Sequence, residues 1–457
     1  MRSRFAASLS GLLLVAAGAA ACGESAPPRA REEMSSTGDG DSTADSGDGD
    51  DSEVGDGDGD GDQRPGTGDG DADGGAAASE AGCGETKLRP VPEDTSVRGP
   101  WKVGVRTATV GRLKVEVFYP AKPGTTDGKP VAKYDIRDWL PQQERKKIPD
   151  ANVPLVTAIG GDVYRDVPID DEFGPYPVVM FVHGTSSFRI ASGTLNAQWA
   201  SRGFVVVAAD YPGLGLKDQL SATLECSLPH DDQDIPGDVD LQLDALKSAS
   251  GDLAFLKDHL DMTRLAVSGH SQGGCVSSTF TALPGVRIVM PLSGSTVTTT
   301  SDTLESILYV SGIDDRVMGY AGPWVGSVVC PLGSISAKSA YEGSPGKPKI
   351  KKRLLGVKTA GHLLPTDLCQ KNDQGKNAIE EAQADGVCGI GSAVIIGLPY
   401  LFDCATIDMA KGLNIVGDAT TAALEETLHC RNRNAAFAAL KGKLPAESEF
   451  IEDMASP

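Results

Sequence analysis

Histidine and aromatic side chains are scarce in this 457-residue chain, with six histidines, four tryptophans and 5% aromatics in all. The histidines stand far apart, and neither His-x-x-x-His nor Cys-x-x-Cys spacing occurs, so no metal site and no cofactor is expected. Basic charge is thin too. Lys and Arg number 42 against 63 Asp and Glu, a net charge of −21. That balance excludes a general nucleic-acid-binding surface, because phosphate recognition needs a basic footprint. Long apolar runs are missing except at the N-terminus, which excludes a polytopic membrane protein.

Arg2 and Arg4 precede an apolar run over 9–21 that is too short and too alanine-rich for a membrane-spanning helix. The pattern is that of a secretory signal peptide over 1–21. Cys22 follows Ala19-Ala20-Ala21 directly and is followed by Gly23. This placement resembles the lipobox of bacterial lipoproteins, although Ala19 stands where that motif usually has Leu. The resemblance implies lipidation of Cys22 and a membrane as one partner. It also implies sorting to the outer membrane, since Gly23 rather than Asp follows the cysteine. Plain signal cleavage that leaves a spare thiol is the alternative.

Residues 22–98 contain little that could form a core. Thirteen Asp and two Glu against one Arg between Ser35 and Glu80 carry fourteen of the twenty-one net negative charges. Like charges repel and glycine adds backbone entropy, so this Gly/Asp-rich segment is expected to be a disordered, solvated tether. Asp56, Asp58, Asp60 and Gly61 match the first half of a calcium-binding EF-hand loop, but Thr67 occupies the twelfth position, where that loop needs Glu.

From about residue 99 the chain reads as one globular domain to its end at 457. Short Val- and Ile-rich runs predict strands over 101–110, 113–119, 178–183, 204–209, 265–268, 286–292, 307–311 and 353–358. Helical stretches over 195–201, 238–260 and 272–283 intervene. Strand–helix alternation implies an α/β fold with a mostly parallel sheet covered on both faces. The Pro- and charge-rich stretch 120–177 reads as an excursion from that sheet, either a cap or a surface loop.

The strongest chemical signal is Gly269-His270-Ser271-Gln272-Gly273-Gly274, placed between a predicted strand and a predicted helix. A sharp strand-to-helix turn needs small residues around the serine, and it presents the Ser271 hydroxyl above the sheet edge. A hydroxyl needs a base at neutral pH. His270 should point away from Ser271, and His183, in His183-Gly184-Thr185, should brace its loop. His259 and His429 fall on predicted helices, and His230 lies in an Asp-rich loop. His362 is left, in Thr359-Ala360-Gly361-His362 after the last predicted strand.

Residues 113–444 resemble the α/β-hydrolases of the dienelactone-hydrolase, platelet-activating-factor-acetylhydrolase and polyester-hydrolase group. The matching stretches are 113–120, 177–184, 199–204, the serine elbow and Gly361-His362. The resemblance implies an eight-stranded sheet and a Ser-Asp-His triad that forms an acyl-enzyme. It also implies an oxyanion hole made by the backbone N–H groups of Thr185 and Gln272. The family's spacing of glycine, acid and apolar residue after a strand fits Gly312, Asp315 and Val317, with Asp314 the rival acid.

The insert 120–177 and a cysteine-bearing insertion over 369–430 could both cover the site, which points to a small or medium ester as substrate. The chain is expected to act as a monomer. A serine peptidase or amidase, and a non-catalytic surface lipoprotein, are the competing readings. Of the nine cysteines, Cys275 is expected to be a free, buried small hydrophobe. Two disulfides are expected within the group Cys369, Cys388, Cys404 and Cys430.

Overall fold

The chain divides into two units, Met1–Asp73 and Gly74–Pro457. The computed structural model describes residues 80–84, 86–152, 163–321, 330, 335–344, 350–371, 375–390, 407–443 and 448–453, all in the second unit. Cys22, Cys404, the signal-peptide stretch and the Gly/Asp repeats lie outside the described residues.

A short antiparallel pair, β1 (Glu80–Ala81) and β2 (Lys87–Leu88), precedes the main sheet. The sheet contains β3 (Val103–Val110), β4 (Leu113–Pro120), β5 (Val163–Arg165), β6 (Tyr176–Val182) and β7 (Val205–Asp210). It continues with β8 (Leu260–His270), β9 (Val286–Leu292), β10 (Ser306–Gly312), β11 (Lys351–Val357) and β12 (Ser448–Asp453). The spatial order is β12-β11-β10-β9-β8-β6-β7-β4-β3-β5. The strands from β7 through β6, β8, β9 and β10 to β11 run parallel. The β3/β4, β4/β7 and β11/β12 pairs are antiparallel.

All eight expected strands form, but the sheet has ten strands rather than eight. The additions are both edge strands. β5 is only three residues long, and β12 reads Ser-Glu-Phe-Ile-Glu-Asp. Neither carries an apolar run, and a charged edge strand is how a sheet protects its unpaired backbone groups. The helix expected over 238–260 is shorter than that. It is α3 (Ile235–Ser248), which stops where Ala249 and Gly251 turn to positive φ. His259 therefore lies off the helix.

The sheet is covered on both faces, and β6 shows why its sequence is apolar throughout. Its Val178, Met180 and Val182 join one core, while Val179 and Phe181 join the other. Successive strand residues point to opposite faces, so a strand buried on both sides needs apolar side chains at every position. The first face packs against α3 through Val239, Leu243 and Leu246 and against α5 (Ala337–Gly343). The second packs against α1 (Gly193–Ala200), α7 (Met409–Leu428) and α8 (Asn434–Lys443). The shorter helices are α2 (Leu216–Ser221), α4 (Gln272–Ser277) and α6 (Ala378–Ala384).

The tether boundary expected at 98 is corrected by these contacts. Leu88 and Val91 are buried in the core. Arg202, also buried, donates to the carbonyls of Pro92 at 2.6 Å, Asp94 at 3.1 Å and Val97 at 2.7 Å, and to Glu425 at 2.6 Å. Composition missed this segment because only Leu88 and Val91 anchor it to the core, and its backbone carbonyls and one disulfide do the rest.

The cysteine pairing is corrected as well. Disulfides join Cys83 to Cys430, Cys226 to Cys388 and Cys275 to Cys330, and Cys369 is disulfide-bonded too. Cys275 is not a free thiol, and Cys388 and Cys430 pair outside the C-terminal insertion. Each bond ties that region or a loop back to a distant part of the chain, where the closure is worth more than a local staple. Structural disulfides mark a chain that folds outside the reducing cytosol. Among the described residues no helix is long and apolar enough to cross a membrane. A Cys83→Ser/Cys430→Ser double variant is expected to lose about 2–5 kcal/mol, read as a lower urea midpoint with the far-ultraviolet circular dichroism spectrum at low temperature retained; an unchanged midpoint would contradict the clamp.

Candidate active site

Strand β8 delivers Ser271 to the carboxyl edge of the parallel sheet, and α4 begins at the next residue. Ser271 has φ 56° and ψ −121°, a left-handed conformation that costs a non-glycine residue about 1–3 kcal/mol. The surroundings enforce it. A Cβ on Gly273 would collide with the carbonyl oxygen of Val182 at the end of β6, and one on Gly269 would lie 2.5 Å from the Gly273 carbonyl. Only glycine lets the two turns close to this distance. Ser271 N–H donates to the Leu292 carbonyl at 3.0 Å, which fixes the elbow to the end of β9.

Three side chains from three loops converge there. The Ser271 hydroxyl lies 2.9 Å from His362 Nε2, and His362 Nδ1 lies 3.0 Å from Asp315 Oδ2. All three residues are buried. Since the carboxylate only accepts, Nδ1–H donates to Asp315, and the Nε2 lone pair accepts from the Ser271 hydroxyl. Asp315 follows β10, and its other oxygen accepts from the amides of Val317 at 2.8 Å and Met318 at 2.9 Å. Burial alone would push this carboxyl up. His362 and the two amides outweigh it and hold Asp315 below the ordinary carboxylate range. Asp314, the rival acid, is exposed, and its N–H donates to the Ala360 carbonyl at 3.1 Å.

The loop that carries His362 is tied down on its far side. Asp367, buried and pushed up to about 6 by that burial, accepts from the Thr194 amide at 2.9 Å in the first turn of α1. It also accepts from Gln370 at 2.9 Å.

The turn after β6 stands beside the serine, for a Cβ on Gly184 would lie 2.8 Å from Ser271 Cβ. His183 braces this turn as expected. Its Nδ1–H donates to the Gly184 carbonyl at 2.7 Å, and its Nε2 accepts from the Tyr211 amide at 3.1 Å. Burial lowers its pKa, which keeps the ring neutral. The next residue, Thr185, donates through its hydroxyl to Gln272 Oε1 at 2.6 Å, so the two expected oxyanion-hole residues are side by side. Gln272 in turn donates to Gln233 at 3.0 Å. Gln233 was not legible in the sequence, because nothing in its loop marks it as a partner of the elbow.

A nucleophile bonded to a base, a base bonded to an acid, and two amides beside the nucleophile can carry out acyl transfer. Among the described residues no cluster of three or more His, Cys, Asp or Glu is placed to hold a metal ion.

Residues 91–215 match the profile of the family described as platelet-activating factor acetylhydrolase, isoform II. That stretch runs from Val91 through the His183-Gly184-Thr185 turn to Gly215, so Ser271, Asp315 and His362 lie beyond it and stand on geometry. No curated protein matches the chain. The matched family belongs to the α/β-hydrolase superfamily, and the helix-flanked, mostly parallel sheet is that fold. The likeness supports a hydrolase that acts on esters. Asp315→Asn is expected to lower kcat by about 10⁴-fold without altering the circular dichroism spectrum. Asp314→Asn should change it by less than about threefold. Steady-state ester hydrolysis by both variants checks this, and the reverse order would remove Asp315 from the triad.

Proposed function

We propose, with this α/β-hydrolase likeness as the premise, that the chain is an exported serine hydrolase that cleaves carboxylic esters through an acyl-enzyme on Ser271. The observation that carries the reading is the buried relay from Ser271 through His362 to Asp315. His362 Nε2 takes the hydroxyl proton as Ser271 Oγ attacks the ester carbonyl. Asp315 stabilises the imidazolium that results. The carbonyl oxygen gains negative charge in the tetrahedral state, and the amides of Thr185 and Gln272 are assigned to meet it. Neither amide donates to another group among the described residues, which leaves both free for that work. His362 then passes its proton to the departing alkoxide, and water attacks the acyl-serine by the same route in reverse.

We infer the substrate class from an apolar cluster near the turn after β6 and from the two cavities beside it. Leu140 and Ile148 of the insert, Leu220 of α2, and Ala382, Val387 and Ile390 of the C-terminal insertion form one small apolar cluster. The Cys226–Cys388 disulfide staples it, and the Cys388 amide donates to Glu144 at 2.7 Å. Beside this cap lies an apolar cavity of about 40 Å³, lined in part by Ile136, Phe188, Leu216, Leu368 and Ile379. Ser186, which directly follows Thr185, also lines it. A wider cleft of about 430 Å³, with Arg112, Arg145, Asp210 and Lys217 in its wall, adjoins it through Leu140 and Leu216. We assign the apolar slot to the acyl chain and the wider cleft to the alcohol. A cavity of this size holds only a few small atoms, which favours a short acyl group.

Purified protein should hydrolyse p-nitrophenyl acetate and butyrate and lose at least about tenfold in kcat/KM by the octanoate, since each methylene left outside a pocket forfeits binding. Ser271→Ala should abolish all three activities. A Ser271→Ala protein that retains wild-type rates would end the proposal, and a flat chain-length profile would end the assignment of the slot.

Anchoring at Cys22 belongs to the same reading and rests on its position at the end of the signal peptide. Expressed in a host that processes lipoproteins, wild-type protein should partition into detergent and Cys22→Ala into buffer. Equal partitioning of the two would remove the anchor.

A further inference from the structure

We propose that His270 is a positioning residue, whose imidazole is wedged between the turn after β6 and the base loop and sets where the His362 ring stands over Ser271. The inference rests on Ser271 acting as the nucleophile.

His270 is the last residue of β8 and is buried. Its Nε2 lies 2.9 Å from the main-chain carbonyl oxygen of His362. A carbonyl can only accept, so Nε2 carries the proton and donates. The hydrogen bond therefore runs to the backbone of the base itself, not to a distant scaffold residue. On its other side the ring meets the oxyanion turn. A Cβ on Gly184 would lie 3.1 Å from His270 Nδ1, and the same atom would press on Ser271 Cβ. Among the described residues Nδ1 is buried without a hydrogen-bond partner, so the side chain's one hydrogen bond is that to His362.

The rings of His270 and His362 are 4.9 Å apart between centroids and inclined at 43°. A second cation at that distance would oppose the imidazolium that forms on His362 in every turnover. The titratable groups that face His270 are His362, Asp315 and His183. Burial first, and then the charge of His362, push the His270 ring down to about 3. It stays uncharged across the working range and donates one fixed hydrogen bond. A histidine that merely filled the core would do so through its ring volume, and phenylalanine could replace it. The geometry here makes the N–H matter as well.

Two substitutions separate the roles. His270→Phe keeps the ring volume and removes the donor, whereas His270→Gln keeps an N–H at similar reach. The measurement is the single-turnover rate at which a fluorophosphonate labels Ser271, with the low-field proton resonance of the His362–Asp315 hydrogen bond as a second readout. His270→Phe should label about 10- to 100-fold more slowly, the cost of a misplaced base, with its low-field resonance shifted or lost. His270→Gln should recover most of the rate and the resonance. Equal rates for wild type and His270→Phe, or equal losses in the two variants, would overturn the proposal. If His270→Phe does not fold, His270→Asn, whose amide is too short to reach the carbonyl, takes its place. It should be slow where His270→Gln is fast, and equal rates would again overturn the inference. Wild-type protein that takes no label would remove the nucleophile assignment and this inference with it, whereas labelled wild type with indifferent variants would remove the inference alone.

Discussion

No side-chain atom larger than hydrogen stands at position 273, and the site is built on that fact. The end of β6 and the first turn of α4 come so close that the Val182 carbonyl occupies the space a Cβ would need. The approach forces Ser271 into a left-handed conformation and lifts its hydroxyl off the sheet edge. It also brings the His183-Gly184-Thr185 turn beside the serine, so the proposed nucleophile and the turn assigned to the oxyanion hole are in contact. The strands behind this edge are apolar at every position because both faces of the sheet are covered, and that rigidity keeps the strained turn from relaxing.

Around this rigid centre the chain adds parts that cannot stand alone. The cap is a small apolar cluster drawn from three separated segments, and one disulfide and a few hydrogen bonds to Glu144 and Lys147 hold it in place. The N-terminal segment is held by Arg202, by the Cys83–Cys430 bond and by Arg264, which donates to the Cys83 carbonyl and the Thr86 hydroxyl. Arg202 is buried with Glu425, and Arg433 bonds the other oxygen of the same carboxylate at 2.6 Å. Such a buried charge network is costly to break, since removing one partner leaves another unpaired. Disulfides and buried ion pairs thus do at the periphery what apolar area does in the sheet.

What the sequence revealed follows the same division. The elbow was legible because its chemistry demands glycines at fixed positions around Ser271, between a strand and a helix. His362 emerged because the five other histidines had duller places to be, and among the described residues it is His362 that bonds the Ser271 hydroxyl. Asp315 needed the fold, for Asp314 is its neighbour and only the chain direction after β10 turns one carboxylate inward and the other to solvent. Edge strand β5 was invisible because three residues are too few to show a pattern, and β12 because Glu449 and Glu452 interrupt its apolar residues. The disulfide partners were invisible because Cys226 meets Cys388 and Cys83 meets Cys430 only after the whole sheet has formed. The bond from His270 to the His362 carbonyl had no sequence signal, because the Gly-x-Ser-x-Gly pattern leaves its variable positions undefined.

The central claim is that Ser271 carries the acyl group between two half-reactions. Rapid-quench mass spectrometry of the protein mixed with a p-nitrophenyl ester tests it most directly. The account predicts a transient mass increase equal to the acyl group, confined to the peptide that contains Ser271 and formed as fast as the first equivalent of nitrophenol is released. Hydrolysis at full rate with no covalent adduct on that peptide, or with the adduct on another residue, would contradict it.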